Sequence, residues 1–261
     1  MKDTYQLFLD EAENINKYVE LESADLVILD PPYGIGKSVL KSKKKKWKKS
    51  AEKWDDFDDN INQQYDFYLK HLKIILPVLK KSGRIIIFGS YHNIYLMGEI
   101  LQRQLSCKIS NSVVWNKIDA MYNVVVSGLI EGTEYMIWAH PKENKPYFDS
   151  EYARSCTKND TQLRNVWSSP KTPKKEKVKG YGEGETTHPH QKPFWLYERL
   201  IRLTCPEQGF VVDPMAGSGV TAKVCLSCNR YCVLIENDPS FYERTKQNLN
   251  YIIKRDIFFK K

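Results

Sequence analysis

Short runs of Val, Ile and Leu recur along this chain, and four of them end on an acidic residue, at Asp10, Asp30, Asp213 and Glu236. Between the runs lie longer stretches whose apolar residues follow helical spacing. Buried strands alternating with amphipathic helices are the pattern of parallel α/β architecture, and few other folds accommodate it. The pattern predicts strands at 5–9, 25–29, 84–88, 112–115, 134–139, 210–212 and 231–235. Helices are expected at 61–80, at 93–105, from about 193, from about 218, and at 240–253, with Ser82 and Gly83 stopping the first. From 141 to 187 the periodicity dissolves into Lys, Pro, Ser and Gly, with Tyr147, Phe148, Tyr152, Trp167 and Tyr181 interspersed. That stretch is too long for a plain connection in a compact domain, so it is read as functional or poorly ordered. No internal repeat is visible, and 261 residues suffice for one α/β domain carrying an insertion.

Several function classes drop out on composition. No apolar run reaches the length of a membrane span, and the first ten residues lack a signal-peptide layout, so a cytoplasmic location is expected. The six cysteines do not resemble a secreted disulfide framework in a chain of this size. Cys225 and Cys228 have zinc-like spacing, but no second pair completes four ligands; free thiols and no metal are expected.

Charge is unevenly spread. Lys and Arg exceed the acids by eight, and the segment 37–53, with nine lysines against Glu52 alone, carries an excess of the same size. Such a block reads either as a solvated loop or as charge placed to meet a polyanion, and one loop can be both.

Four motifs carry chemistry. Asp30-Pro31-Pro32-Tyr33 follows an apolar strand. Two prolines remove amide donors and leave carbonyl acceptors, so the Asp30 carboxylate and the Pro31 carbonyl can both face one NH2 group, with Tyr33 as a flat stacking surface. In Asp213-Pro214-Met215-Ala216-Gly217-Ser218-Gly219 a strand feeds a glycine-rich turn that opens a helix, which lets backbone approach a ligand and offers helix-end amides to an anionic group. It has neither the three-glycine dinucleotide frame nor the Gly-Lys-Ser/Thr ending of a phosphate loop. Glu236, 23 residues beyond Asp213, closes the next strand before Asn237, where an acid can accept from both hydroxyls of a ribose. His188-Pro189-His190-Gln191-Lys192-Pro193 precedes a helix.

The combination and order of these motifs resemble the amino-methyltransferases of DNA restriction–modification systems, specifically their permuted β class, over nearly the whole chain. Trp54-Asp55-Asp56-Phe57, Glu134-Tyr135-Met136-Ile137-Trp138 and Asn165-Val166-Trp167 also match segments of that family. Met215 and His190 depart from it, standing where Phe and Thr are usual.

The resemblance implies a Rossmann-like, circularly permuted α/β fold, with a mostly parallel twisted sheet and helices on both faces. It implies a single domain, 1–261, with a mobile basic loop at 34–58 and a target-recognition insertion at about 141–187. The implied reaction is methyl transfer from S-adenosylmethionine, leaving S-adenosylhomocysteine, to N6 of an adenine flipped out of double-stranded DNA. Asp30, Pro31, Pro32 and Tyr33 are the expected catalytic residues. Asp10, Asp30, His188, Gln191, Lys192, Asp213, Pro214, Ala216, Gly217, Ser218, Gly219, Glu236 and Asn237 are expected around the cofactor. Lys43, Lys44, Lys45, Lys46, Lys48, Lys49, Lys171, Lys174 and Lys175 are the expected DNA contacts. A homodimer and a cognate restriction endonuclease are the further partners the resemblance suggests. A cytosine-N4 enzyme, which in this family usually has Ser in place of Asp30, and an inactive DNA-binding relative are the alternatives.

Overall fold

The computed structural model describes residues 4–34, 57, 60–120, 129–173, 176–177 and 191–259, the last eight by backbone alone. Among the described residues eight strands form one sheet: β1 (Tyr5–Leu9), β2 (Ala24–Leu29), β3 (Leu79–Gly89), β4 (Cys107–Lys117), β5 (Thr133–Pro141), β6 (Val166–Ser169), β7 (Phe210–Asp213) and β8 (Tyr231–Glu236). Their spatial order is β1-β8-β7-β2-β3-β5-β4-β6. The first five strands of that order are parallel, β5 is antiparallel to both β3 and β4, and β6 is parallel to β4. The two strands last in sequence are therefore inserted between the two that come first.

Helices cover both faces, and the strands dictate this. Along β2, Leu26 and Ile28 pack into one layer while Val27 and Leu29 pack into the other, so the strand is apolar throughout. One layer takes α4 (Phe194–Thr204), α5 (Val220–Ser227) and α3 (Ser150–Ser155). The other takes α1 (Ile61–Ile75) and α2 (Ile94–Glu99), which a π-helical turn at Ile100–Gln104 continues. The α1 helix starts where the Asn60 side chain accepts from the amides of Asn62 and Gln63. It buries Tyr68, Leu72 and Ile75 at helical spacing. Truncating a side chain as enclosed as Leu72 to alanine would cost about 2–5 kcal/mol. The final helix, α6 (Pro239–Phe259), lies against β1 and β8.

Three expectations need correction. The helix expected over 61–80 ends at Ile75, because Pro77 cannot continue it, and the chain turns through Leu76–Val78 into β3. Gly83 is no helix stop. It lies inside β3, where an added Cβ would stand 2.8 Å from the carbonyl oxygen of Ala24. The segment 141–187 is not irregular throughout: it holds α3 and β6, with Ala153 and Trp167 buried in the core. Elements of six and four residues are too short to register as periodicity.

Candidate active site

The parallel strands β1, β8, β7 and β2 stand side by side, so Asp10, Glu236, Asp213 and Asp30 all emerge at one edge of the sheet. After β7 the chain enters α5 on one face, and after β2 it reaches α1 on the other. A ligand crevice forms where crossovers diverge in this way. A cleft of about 290 Å³ lies there, and its walls include Asp30, Pro31, Pro32 and Tyr33 opposite Pro214, Met215, Ala216, Gly217 and Ser218. Lys192, Tyr197, Glu236, Asn237 and Phe241 complete much of the lining.

On one side of the cleft the ligand surface is shaped by backbone. Gly217 and Gly219 adopt left-handed φ values of 50° and 68°. A Cβ at Gly219 would come within 2.3 Å of Thr245, so the close approach of α6 also requires glycine. Glu236 is buried, and its two carboxylate oxygens accept from the amides of Gly217 (2.7 Å) and Asp238 (2.9 Å). Burial raises its pKa despite those bonds. Each oxygen keeps a lone pair that a hydroxyl in the cleft can use. Asp213 lies behind the turn rather than in the lining, accepting from the Met215 amide at 3.2 Å and from the Thr221 hydroxyl. Burial pushes its pKa up to about 7.

The opposite side is built from charged side chains. Asp30 Oδ2 lies 2.6 Å from the Lys192 ammonium, and Asp30 Oδ1 accepts from the Tyr33 hydroxyl at 2.9 Å. Glu134 Oε2 lies 3.4 Å from both Lys192 and the Tyr33 hydroxyl, and Glu134 Oε1 accepts from Lys117 at 2.9 Å. Tyr68 donates to the Pro32 carbonyl at 2.6 Å and is itself held by Asn93 at 3.0 Å. Among the described residues no donor is paired with the Pro31 carbonyl. Burial drives the Tyr33 pKa well above the ordinary phenol value, and the Asp30 and Glu134 charges add to the effect.

The sequence-predicted residues divide accordingly. Asp30, Pro31, Pro32, Tyr33, Lys192, Pro214, Ala216, Gly217, Ser218, Glu236 and Asn237 come together in the cleft lining. Asp10 stays outside it and accepts from Tyr18, Asn14, Lys17 and the Glu11 amide, with those partners holding its pKa low; Glu11 and Ala12 line the cleft instead. Gln191 is buried beneath, donating to the Glu176 carbonyl at 2.8 Å. Gly219 shapes the turn without facing the cleft, and its amide donates to Ala216. Lys171 is half-buried, and its amide donates to Asp119. His188, Lys43, Lys44, Lys45, Lys46, Lys48, Lys49, Lys174 and Lys175 fall outside the described residues, as do Trp54, Asp55 and Asp56. Sequence reasoning gave no individual role to Glu134, Lys117, Tyr68 or Tyr197. Only the pairing of β4 with β5 brings Lys117 near Glu134, and no linear motif announces it.

A family model described as DNA methylase matches residues 24–247. The chain belongs to the DNA methylase family. The type II methyltransferase M2.DpnII of Streptococcus pneumoniae is 30% identical to this methylase over 237 residues, 87% of this chain and 83% of that one. Among solved structures, the PvuII DNA methyltransferase, described as cytosine-N4-specific, superposes with a TM-score of 0.71 at 16% identity, covering 96% of this chain and 92% of that one. The M1.HpyAVI complex with SAM superposes with a TM-score of 0.64 at 22% identity, covering 94% and 99%. At those identities both establish the shared Rossmann-like methyltransferase fold and leave base specificity open. Among the described residues no helix is long and apolar enough to cross a membrane, and no group of three or more His, Cys, Asp or Glu could hold a metal.

Proposed function

We propose that this methylase transfers a methyl group from S-adenosylmethionine to the exocyclic N6 of an adenine flipped out of duplex DNA. One observation carries the reading. The Asp30 carboxylate and the Pro31 carbonyl border the same cleft as the Gly217 turn and the buried Glu236. The sulfonium of the cofactor, when bound, supplies an already activated methyl group, so the protein's task is largely alignment.

The residues present fit that cofactor. Glu236 offers carboxylate lone pairs to ribose hydroxyls, and the glycine turn admits a ligand close to backbone. On the base side, an NH2 group needs two acceptors. Asp30 provides one, because each of its oxygens retains a lone pair after the bonds to Lys192 and Tyr33. The Pro31 carbonyl provides the second, while Tyr68 occupies the neighbouring Pro32 carbonyl. Drawing the amine hydrogens into these bonds directs the nitrogen lone pair out of ring conjugation and towards the methyl carbon. An aligned acceptor pair of this kind is worth on the order of 3–4 kcal/mol in a preorganised site. Tyr33 gives the pocket a flat aromatic surface on which a flipped base can rest.

Cytosine also presents an NH2 group. A carboxylate rather than Ser at position 30 favours adenine, by resemblance to the β class. Lys43, Lys44, Lys45, Lys46, Lys48 and Lys49, with Lys171, Lys174 and Lys175, would neutralise phosphates, and sequence readout would fall mostly within about 141–187. Asp30→Asn tests the central role. Transfer of radiolabelled methyl to duplex DNA should collapse while calorimetric titration still shows cofactor binding. A variant methylating near the wild-type rate would remove Asp30 from the chemistry.

A further inference from the structure

Beneath the catalytic loop, four charged side chains from widely separated stretches of sequence meet away from bulk water. Lys192 is 4% exposed at its side chain and Glu134 15%, and the Lys192 ammonium lies 5.3 Å from the ring centres of both Tyr33 and Phe88. Two carboxylates, Asp30 and Glu134, face two ammoniums, Lys192 and Lys117, so the set is neutral. That balance matters because an unpaired charge held away from water is strongly destabilising.

Geometry gives the set a direction. A lysine head on a flexible four-carbon stem is poorly fixed by one partner. Lys192 has two, at 2.6 Å on Asp30 and 3.4 Å on Glu134. Glu134 is in turn anchored from β4 by Lys117 at 2.9 Å. Burial alone would raise the Glu134 pKa, but Lys192 and Lys117 outweigh it and hold the group below its ordinary value. Burial alone would lower the Lys192 pKa, but Asp30 and Glu134 reverse it. Both groups are thus charged at neutral pH. The Tyr33 hydroxyl, 2.9 Å from Asp30 and 3.4 Å from Glu134, ties the two carboxylates together.

We propose that Glu134 is a positioning residue for methyl transfer: anchored by Lys117, it fixes Lys192, which holds the Asp30 carboxylate in the orientation that receives the base amine. This rests on the reading of Asp30 as the amine acceptor. On this reading Lys192, which the resemblance places around the cofactor and which lines the shared cleft, also serves its base side.

The test uses the full chain with duplex DNA. Glu134→Gln should lower kcat about tenfold while the KM values for DNA and cofactor stay within about twofold, the pattern of a group acting only at the chemical step. Glu134→Asp, which keeps the charge, should recover most of the loss. Because Glu134 acts through Lys192, adding Glu134→Gln to Lys192→Met should lower kcat no further than Lys192→Met alone. A second readout needs no activity. Acetylation of Lys192 by an amine-reactive ester, followed by peptide mass spectrometry, should be slow in the wild type and at least about fivefold faster in Glu134→Gln, as the unfixed amine gains access to solvent. Unchanged kcat in Glu134→Gln, multiplicative losses in the double variant, or equal labelling rates would each overturn the proposal. Such a failure, with Asp30→Asn still inactive, would leave the function standing; an active Asp30→Asn would instead remove the reading beneath both.

Discussion

The two walls of the cleft are built on different principles. The cofactor wall is local: residues 214–218 and 236–238 line it, and the carboxylates of Glu236 and of Asp213 behind the turn are satisfied largely by backbone amides and a hydroxyl. The base wall is lined by positions 30, 33 and 192 and backed by 117 and 134, and the carboxylates there are satisfied by ammoniums and a phenol. Amide partners belong to the backbone and cannot be lost singly. Side-chain partners can be, so the base wall should respond to single substitutions in kcat and the cofactor wall in binding.

That contrast breaks first, if at all, at its two central carboxylates. Asp30→Asn should lower kcat by roughly 10²–10³-fold with cofactor affinity nearly unchanged, the scale of losing one preorganised contact in the transition state. A matching loss of cofactor affinity would erase the division. Glu236→Gln should show the mirror image: a cofactor Kd weaker by roughly 10–100-fold, as for a hydrogen bond to a charged group, with kcat at saturating cofactor changed little. A large fall in that kcat would show that the backbone wall also serves chemistry.

A smaller effect concerns pH. An unfolded Asp loses its proton near pH 4, whereas native Asp213 keeps it to about 7 because it is buried. The native state therefore binds the proton more tightly than the unfolded state between those values. The contribution of this group to stability is complete below about pH 4 and is lost as pH rises through about 7, a change of a few kcal/mol. Asp213→Asn should flatten much of the fall in thermal stability across that window. The buried Glu236 acts in the same direction and should leave a residual slope. An unaltered slope in the variant would exclude Asp213 as its source. Smallest of all, Tyr68→Phe frees the Pro32 carbonyl and should cost about 1 kcal/mol of stability, with a severalfold drop in kcat. Improved or unchanged kcat would mean that the Tyr68 bond does not orient the loop.

The same contrast explains what the sequence made visible. Contiguous motifs announced the glycine turn, Glu236 and the Asp30 loop, because backbone geometry there follows from neighbouring residues. Glu134 and Lys117 were silent as a pair: they meet only through the antiparallel register of β4 with β5. The resemblance set Asp10 among the cofactor residues, whereas here Tyr18, Asn14 and Lys17 engage its carboxylate and the adjacent Glu11 lines the cleft. The helix boundary near 75 was missed although Pro77 marks it, since amphipathic spacing ran on past the proline. The short α3 and β6 carried too few residues for a period to show, though Trp167 anchors β6 in the core.

The most direct measurement is nucleoside mass spectrometry of duplex DNA incubated with the chain and S-adenosylmethionine deuterated in its methyl group. Deuterated N6-methyladenine should form with the wild type and be lost with Asp30→Asn. Label on cytosine, or no label on any duplex while the cofactor still binds, would contradict the account.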